Sequence, residues 1–333
     1  MSAIPEQPTW SILDSSKLDD YLACPRKFFF THITGWRMDV PAHDLWFGTC
    51  WHKAREHQLI HGYDDVSGAY GAFINEYRKE FDADTDSLYV PKTPAAVLHA
   101  LMKFNEERHS DLMDNEVVML DGNLMTEISG TVPIDDKRVL HYRLDDIMRR
   151  LDDGKVFSLD HKTTSGKYIN SRQWAEQFHL SIQNGTYTHC LYCLFPIEQV
   201  LGVIFDGVGF EYLSRGSAIR PAGYHATIQQ VPAYKTPEQM NTWLWLVNEL
   251  CDDVERDMDR LSHCKEEETV LMSFHQNPKS CTSYKGCPFI DYCLSWQNPL
   301  QHCDEPPLGF RTEFWNPAEV KTTNRKDLVW PKE

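Results

Sequence analysis

The chain has 333 residues, 41% of them hydrophobic and 12% aromatic, which is enough for a sizeable core and excludes a disordered polymer. Its 33 Lys and Arg against 49 Asp and Glu give a net charge of −16, which argues against nonspecific coating of nucleic acid through a broad basic surface. No run of about 18 apolar residues is present, so we expect no membrane-spanning helix, and the opening MSAIPEQPTW lacks the features of a secretory signal. We therefore expect the ten cysteines to be reduced thiols or metal ligands.

The first third of the chain predicts mainly helices. A capping-box pattern at Ser16–Asp19 predicts a helix start, and Pro25 predicts that this helix ends or kinks. Residues from about 44 to 115 predict further helices, with loops near Gly62–Asp65 and Asp82–Pro91.

Strand patterns begin after Glu116. Runs rich in β-branched and other apolar residues cover 117–120 and 124–134, with a turn at Asp121-Gly122 between them. Two further runs cover 139–149 and 156–163, and Asp153-Gly154 between them predicts a hairpin. Further along the chain we expect a helix over 172–195, a strand over 199–212 and a long acidic helix over 236–265. The sequence thus predicts an α/β fold whose sheet is central, with helices before and after it.

Two acidic residues and a lysine meet on one face of the predicted hairpin. With a two-residue turn at Asp153-Gly154, Asp145 faces Lys162, and Asp160 shares that face because alternate residues of a strand point the same way. Carboxylates hold Mg²⁺ or Mn²⁺, which acidifies bound water, and a lysine stabilises developing charge, so this set suits phosphodiester hydrolysis. A charged, solvent-exposed hairpin without chemistry is the alternative interpretation.

Two further features belong to predicted helices. His52, in FGTCWH, would by itself be an ordinary core or surface histidine. Gln183 and Tyr187 are four residues apart, so they share one helix face, which would by itself be an ordinary amphipathic arrangement.

In their order along the chain, these motifs resemble the RecB/AddB-type branch of the PD-(D/E)XK nuclease superfamily, which includes the CRISPR-associated RecB-like exonucleases. The resemblance covers about residues 11–300 through SSKLDDYLACPRKFFF, FGTCWH, YRLDDI, SLDHKTTS, QNGTY and the C-terminal cysteines. It implies a restriction-endonuclease-like fold, with a mixed central sheet flanked by helices. It also implies metal-dependent hydrolysis of DNA in the cytoplasm of a prokaryotic or phage-infected host cell.

The resemblance assigns roles to single residues. His52 corresponds to the metal-binding histidine, and Asp145 to the aspartate on the strand before the hairpin turn. Asp160 and Lys162 match the acidic-x-lysine signature, with the main-chain carbonyl of His161 as a further metal ligand. The implied catalytic set is therefore Lys162, Asp145 and Asp160.

The Q-x-x-x-Y motif of the family matches Gln183 and Tyr187, which are implied to contact DNA beside the active site. The chain departs from the family on the first strand of the hairpin. Tyr142 stands where glycine is usual, and Asp146 adjoins Asp145, although strand parity favours Asp145.

Thiolates from opposite ends of the chain suit an iron–sulfur cluster or a structural zinc ion. In the resembling family, the matching positions hold a [4Fe-4S] cluster that joins the N- and C-terminal segments, here Cys24, Cys281, Cys287 and Cys293. The C-terminal spacing is C-x5-C-x5-C, whereas the family more often has C-x2-C-x5-C. Zinc therefore stays as the alternative cofactor, and Cys303 as a substitute ligand.

The predicted protein is a metal-dependent deoxyribonuclease, an exonuclease acting on DNA ends or single strands in recombination, repair or CRISPR-type processing. The alternatives are a non-catalytic DNA-end-binding or scaffold subunit and a zinc-stabilised interaction protein. No G-x-x-x-x-G-K-[ST] motif is present, so a helicase or recombination partner would supply any motor. The cations that flank the predicted site in sequence, as candidate phosphate contacts, are Arg26, Lys27, Lys53, Arg55, Arg149, Arg150, Lys167 and Arg172.

The expected domain plan has three parts. Residues 1–14 form an N-terminal arm, and residues 301–333 form a C-terminal tail. Between them, residues 15–300 form the nuclease domain, which carries a helical insert at about 53–115.

Overall fold

The computed structural model describes residues 4–282, 286–319, 322 and 324–330. Within these residues the chain forms a mixed α/β structure around one large sheet. None of the described helices combines the length and the apolar character needed to cross a membrane. The central mixed sheet flanked by helices that the sequence predicts is therefore confirmed.

Helices precede and follow the hairpin strands. Their bounds are α1 (Ser15–Ala23), α2 (Pro25–Phe28), α3 (His43–His61), α4 (Val66–Tyr77), α5 (Pro94–Arg108), α6 (Asp111–Asp114), α7 (Arg172–Glu176), α8 (Ile182–Leu194), α9 (Pro237–His263) and α10 (Ile290–Ser295). The expected long helix over 172–195 is two helices, α7 and α8, because Ser181 caps a new start by accepting a hydrogen bond from the Asn184 N–H.

The strands are β1 (Trp36–Met38), β2 (Asn115–Val117), β3 (Met119–Leu120), β4 (Asn123–Leu124), β5 (Thr126–Pro133), β6 (Val139–Arg150), β7 (Val156–Ser165), β8 (Val200–Leu213), β9 (Gly223–Ala233), β10 (Phe310–Thr312) and β11 (Asn324–Arg325). The main sheet has the order β11-β5-β6-β7-β8-β9, with β2 also paired to β6. Strands β6 and β7 run antiparallel, as do β8 and β9, whereas β7 and β8 run parallel. Strand β9 is not predicted from the sequence, because its residues, GYHATIQQVPA, show no regular alternation of apolar and polar side chains.

The turn between β6 and β7 is longer than expected. The register joins Arg149 to Val156, and the Arg150 N–H donates to the Lys155 carbonyl at 2.8 Å, which leaves a loop of four residues in place of the predicted two. Asp153 stabilises this loop, because its carboxylate accepts a hydrogen bond from the Lys155 N–H and another from Arg150.

This register changes which residues face each other. Asp146 pairs with Leu159, so Asp145 lies across from Asp160, and the prediction that Asp145 faces Lys162 is wrong. The register is shifted by two residues, which preserves strand parity. Asp145, Asp160 and Lys162 therefore stay on one face of the hairpin, as predicted.

The first helix begins slightly earlier than the capping box predicts. Asp14 is the N-cap residue, and its carboxylate accepts a hydrogen bond from the Lys17 N–H at 2.8 Å, so Ser16 lies inside the helix. Cys24 is extended, and Pro25 begins α2, as expected from a proline at this position.

Two compact units divide the chain. The first comprises Met1–Pro41, Gly130–Tyr142 and Pro237–Lys321, and the second comprises Ala42–Ser129, Arg143–Thr236 and Thr322–Glu333. In the first unit, aromatic rings form the core, and the Tyr21 hydroxyl donates to Asp257 at 2.8 Å. In the second, α3, α4 and α5 pack with β8 around a core that includes Trp51, Phe73, Phe104 and Phe210.

Strand β11 extends the sheet beside β5. Asn324 pairs with Ile128 and Arg325 with Ser129 in a parallel arrangement. The side-chain amide of Asn324 also donates to the Leu124 carbonyl at 2.7 Å, which fixes the register of this short strand.

Candidate active site

Helix α3 places a histidine against the hairpin strands. His52 Nδ1 lies 3.1 Å from Oδ1 of Asp145, and His52 Nε2 lies 2.8 Å from the carbonyl oxygen of His161. Phe47 and Trp51 of the same helix are buried in the core, which anchors α3. The imidazole is therefore held at two points, one on each hairpin strand.

The predicted acidic residues and lysine lie beside this histidine. Lys162 Nζ is 2.6 Å from Oδ2 of Asp160, and the His161 N–H donates to Oδ2 of Asp145 at 2.8 Å. Both carboxylates are buried, whereas the Lys162 side chain is 27% exposed. The structure thus brings His52, Asp145, Asp160 and Lys162 together, with an ammonium group that solvent can reach.

Glu127 on β5 completes the site, and sequence analysis missed it. Ligand atoms of His52, Glu127 and Asp145 all lie within 4.8 Å of one another, and among the described residues they are the one group of three or more metal-ligating side chains with that spacing. Glu127 is 2% exposed, and its Oε2 accepts a hydrogen bond from Arg143 at 2.7 Å. Its φ of 45° lies in the left-handed region, which is uncommon for a residue other than glycine. The signal available in the sequence was that Glu127 is the one charged residue of this strand.

Helix α8 brings the Q-x-x-x-Y pair to the same place. Gln183 Nε2 donates to Oδ1 of Asp160 at 3.4 Å and to the Tyr187 hydroxyl at 2.9 Å. The hydroxyl of Tyr187 is buried, and burial raises its pKa well above the usual value. Gln183 therefore links the tyrosine to the carboxylate of the acidic-x-lysine strand.

The pKa values of the two hairpin carboxylates shift in opposite directions. Burial raises the pKa of Asp145, but the charge and hydrogen bond of His52, together with His161 and Lys162, outweigh it and hold the pKa below its usual range. For Asp160 burial prevails over the charge of Lys162, and the Asp145 carboxylate adds to it, so the pKa of Asp160 is raised. A divalent cation would stabilise both as anions, and the carboxylate donors fit Mg²⁺ or Mn²⁺, whereas the imidazole donor suits Mn²⁺ better than Mg²⁺.

A buried ionic network lies on the other face of β7. His161 Nε2 is 3.1 Å from Oδ2 of Asp146, and its Nδ1 is 3.5 Å from Oδ2 of Asp206. Arg55 of α3 completes the network, with Nη2 at 3.2 Å from the same Asp206 oxygen. Burial lowers the pKa of His161, but its two carboxylate partners prevail and raise it to about 9. Asp146 therefore points away from the site that Asp145 faces.

Some of the predicted phosphate contacts are wrong. Arg55 is fully buried in the network of Asp206, and Arg26 is buried with its Nε donating to the Phe274 carbonyl. By contrast, Lys167 and Arg172 are exposed.

In the first unit, the four predicted cysteines line one cavity of about 260 Å³. Cys24 is buried and the other three are half-buried, and Phe289 and Leu294 contribute apolar walls. A cavity lined by four thiols and apolar side chains fits an iron–sulfur cluster or zinc in the chemistry of its donors. Cys303 does not line the cavity, and its thiol donates to the Pro299 carbonyl.

A mixed sheet that carries buried carboxylates and a lysine on one face, with a histidine placed against that face by a helix, is the arrangement of a metal-dependent nuclease. The chain belongs to the PD-(D/E)XK nuclease superfamily, whose family model matches residues 13–294. No curated protein matches the chain. Members of this superfamily are nucleases that use divalent metal ions, so the superfamily and the hydrolase class are confirmed. His52, Glu127 and Asp145 form a candidate site for such an ion.

Proposed function

We propose that the chain is a metal-dependent exodeoxyribonuclease of the RecB/AddB type, acting on DNA ends or single strands in recombination, repair or CRISPR-type DNA processing. The observation that supports it is the convergence of His52, Asp145, Asp160 and Lys162 on one face of the hairpin. We further propose that residues 15–300 form the nuclease domain and that a helicase or recombination protein is its partner.

The metal ligands are proposed to be His52, Glu127 and Asp145, which form the group described above, together with Asp160 and the carbonyl oxygen of His161. Asp160 lies outside that group and is paired with Lys162. When bound there, Mg²⁺ or Mn²⁺ supplies Lewis acidity to the phosphoryl oxygen and lowers the pKa of a water molecule. In the absence of the ion, the His52 imidazole and the His161 N–H hold the Asp145 carboxylate in place.

Lys162 is proposed to act on the reacting phosphate. Its ammonium group is held by Asp160 and is partly exposed, so it can orient the attacking water and stabilise negative charge on the phosphoryl oxygens. Gln183 orients the Asp160 carboxylate, and Gln183 and Tyr187 are proposed to contact DNA.

A cleavage assay tests this function. Protein purified without oxygen is given end-labelled single- and double-stranded DNA, and RNA, with Mg²⁺ or Mn²⁺, and the label pattern reports the end at which cleavage begins. We expect cleavage of DNA by the wild type and a loss of at least about 100-fold in Lys162→Ala. Lys103→Ala is the matched control, since Lys103 has a similar exposure of 30% and pairs with Glu107 on α5. Metal-independent DNA binding, with no cleavage under any divalent ion, would instead support a non-catalytic DNA-end-binding subunit.

We propose that Cys24, Cys281, Cys287 and Cys293 hold a [4Fe-4S] cluster. Iron, sulfide and zinc analysis of protein purified without oxygen, together with its visible absorbance, distinguishes the cluster from zinc. Cys287→Ser should lose the metal and thermal stability together, whereas Cys193→Ser, a half-buried cysteine of α8, should lose neither. Retention of both by Cys287→Ser would contradict the assignment.

A further inference from the structure

Arg143 lies in the candidate active site but has no role in the function proposed above. It precedes Asp145 by two residues on β6, so both side chains lie on the same face of the strand. Its Nη2 donates to Oε2 of Glu127 at 2.7 Å, and its side chain is 33% exposed. Its buried Nε has no hydrogen-bond partner among the described residues. The side chain of Arg143 therefore carries one buried N–H group without a partner in the described part of the chain and is itself partly exposed to solvent.

We propose that Arg143 binds a phosphate of the DNA beside the scissile bond, and that Glu127 holds the guanidinium group until a metal ion takes that carboxylate. This inference rests on the proposed nuclease function. It assigns Arg143 to phosphate binding and Glu127 to two successive partners.

Charge and geometry support this exchange. Glu127 is one of the three candidate metal ligands, with His52 and Asp145, and it is also the ion-pair partner of Arg143. Because both cations draw on the single negative charge of the Glu127 carboxylate, a divalent ion bound there weakens its hold on the guanidinium group. A guanidinium released from Glu127 offers a planar fork of N–H donors, which matches two phosphate oxygens.

The surroundings keep Arg143 charged in both situations. Without metal, burial lowers its pKa, but Glu127 and Asp145 outweigh this and raise the pKa above its usual value. With a metal ion bound, the guanidinium group still keeps its proton, because arginine is not deprotonated in proteins. The site is rich in carboxylates, but it also has two partly exposed cations, Arg143 and Lys162, that can face a phosphodiester.

Two binding measurements on the full chain test the proposal. Mn²⁺ affinity is measured by calorimetry without DNA, and the affinity for a fluorescent single-stranded DNA is measured in the Lys162→Ala background, with and without Mn²⁺. Arg143→Ala should raise Mn²⁺ affinity about two- to fivefold, because it removes the competitor for Glu127. The same variant should lower DNA affinity in Mn²⁺ about tenfold, the effect of losing charge-assisted hydrogen bonds. We therefore expect the two affinities to change in opposite directions, whereas a purely structural role of Arg143 would weaken both Mn²⁺ binding and DNA binding.

Glu127→Gln tests the other half of the exchange. It should weaken Mn²⁺ binding and, without metal, strengthen DNA binding by releasing Arg143. That strengthening should disappear in the Glu127→Gln, Arg143→Ala double variant. If it persists there, a general loss of negative charge explains it and the proposal is wrong.

Arg78→Ala is the matched control. Like Arg143, Arg78 pairs with a carboxylate of the second unit, at 2.7 Å from Asp86, and its exposure of 29% is close to that of Arg143. It should change neither affinity. Unchanged DNA affinity in Arg143→Ala, with normal cleavage by the wild type, would overturn this inference alone. Absence of cleavage and of Mn²⁺-dependent DNA binding in otherwise wild-type protein would overturn the proposed function itself.

Discussion

His52 Nε2 lies 2.8 Å from the main-chain carbonyl oxygen of His161. Three residues further along the same helix, Arg55 pairs with Asp206, whose Oδ2 is also 3.5 Å from the ring of His161. Helix α3 thus contacts His161 in two ways. On the site face, His52 contacts the main-chain carbonyl of His161, and on the opposite face, Arg55 holds Asp206, which lies beside the His161 ring. The position of the acidic-x-lysine strand relative to α3 depends on both contacts.

The buried pair of Arg55 and Asp206 should be costly to break. Asp206→Ala leaves a buried guanidinium unpaired, and we expect it to lower the free energy of unfolding by about 3–5 kcal/mol. The Arg55→Met, Asp206→Leu double variant should recover much of this loss. Urea titration provides the measurement, with Glu76→Ala as the control. Glu76 pairs with Lys79 at the surface, and its loss should cost below about 1 kcal/mol. Equal losses for Asp206→Ala and Glu76→Ala would contradict the prediction.

His52→Ala should weaken metal binding. The variant removes one donor of the group with Glu127 and Asp145, so Mn²⁺ affinity measured by calorimetry should fall at least about tenfold. His57→Ala, on the same helix but paired with Asp65, should leave the affinity unchanged. Equal affinities for His52→Ala and the wild type would exclude this histidine as a ligand.

Binding of Mn²⁺ should stabilise the folded protein. At a metal concentration about 100 times the dissociation constant, linkage predicts a gain of about 2.7 kcal/mol, seen as a rise in unfolding temperature by calorimetry. Chelation should reverse the rise, and Asp145→Asn should remove it, since Asp145 belongs to the proposed ligand set. Asp86→Asn serves as the control, because Asp86 pairs with Arg78 instead. A metal-induced rise of full size in Asp145→Asn would contradict the site.

Lys17 should make stability depend on pH above neutrality. Its buried ammonium donates to the carbonyl oxygens of Thr9 and Ile12, and burial lowers its pKa from 10.5 to about 8. Below pH 8 the Lys17 side chain is charged in both the folded and the unfolded chain, and the folded chain bears the free-energy cost of burying that charge. Between about pH 8 and 10.5 the folded chain loses the proton first, so stability rises with pH.

The comparison that isolates this effect is with Lys17→Met. The difference in unfolding free energy between wild type and variant should shift in favour of the wild type from pH 8 to 10.5, by at most about 3 kcal/mol. Urea titrations of both proteins at pH 7, 9 and 10.5 measure it. A difference that stays constant over this range would show that the carbonyl oxygens keep the Lys17 pKa near its ordinary value.

Strand parity explains why much of the site was predictable. Asp145, Asp160 and Lys162 share a face for any turn that keeps the parity of the hairpin, so the error of two residues in the register left their grouping intact. The contact of Gln183 with Asp160 also lies where the helix spacing and the family motif place it.

Glu127 and Arg143 show what the sequence could not reveal. The contact between them depends on the pairing of β5 with β6 and on a left-handed backbone at Glu127, which no local pattern signals. Arg55 was misjudged for a related reason. A charged residue on a helix is usually exposed, and only the fold supplies Asp206 as a buried partner.

The edge strand β11 has a consequence for synthesis of the protein. Ile128 and Ser129 pair with residues that lie almost 200 positions later in the chain, at Asn324 and Arg325. While the ribosome is still making those residues, this edge of β5 has no such partner, and open strand edges favour association with other chains. A nascent chain stalled before Asn324 would therefore carry an unprotected sheet edge next to Glu127, and chaperone binding is most valuable in that interval.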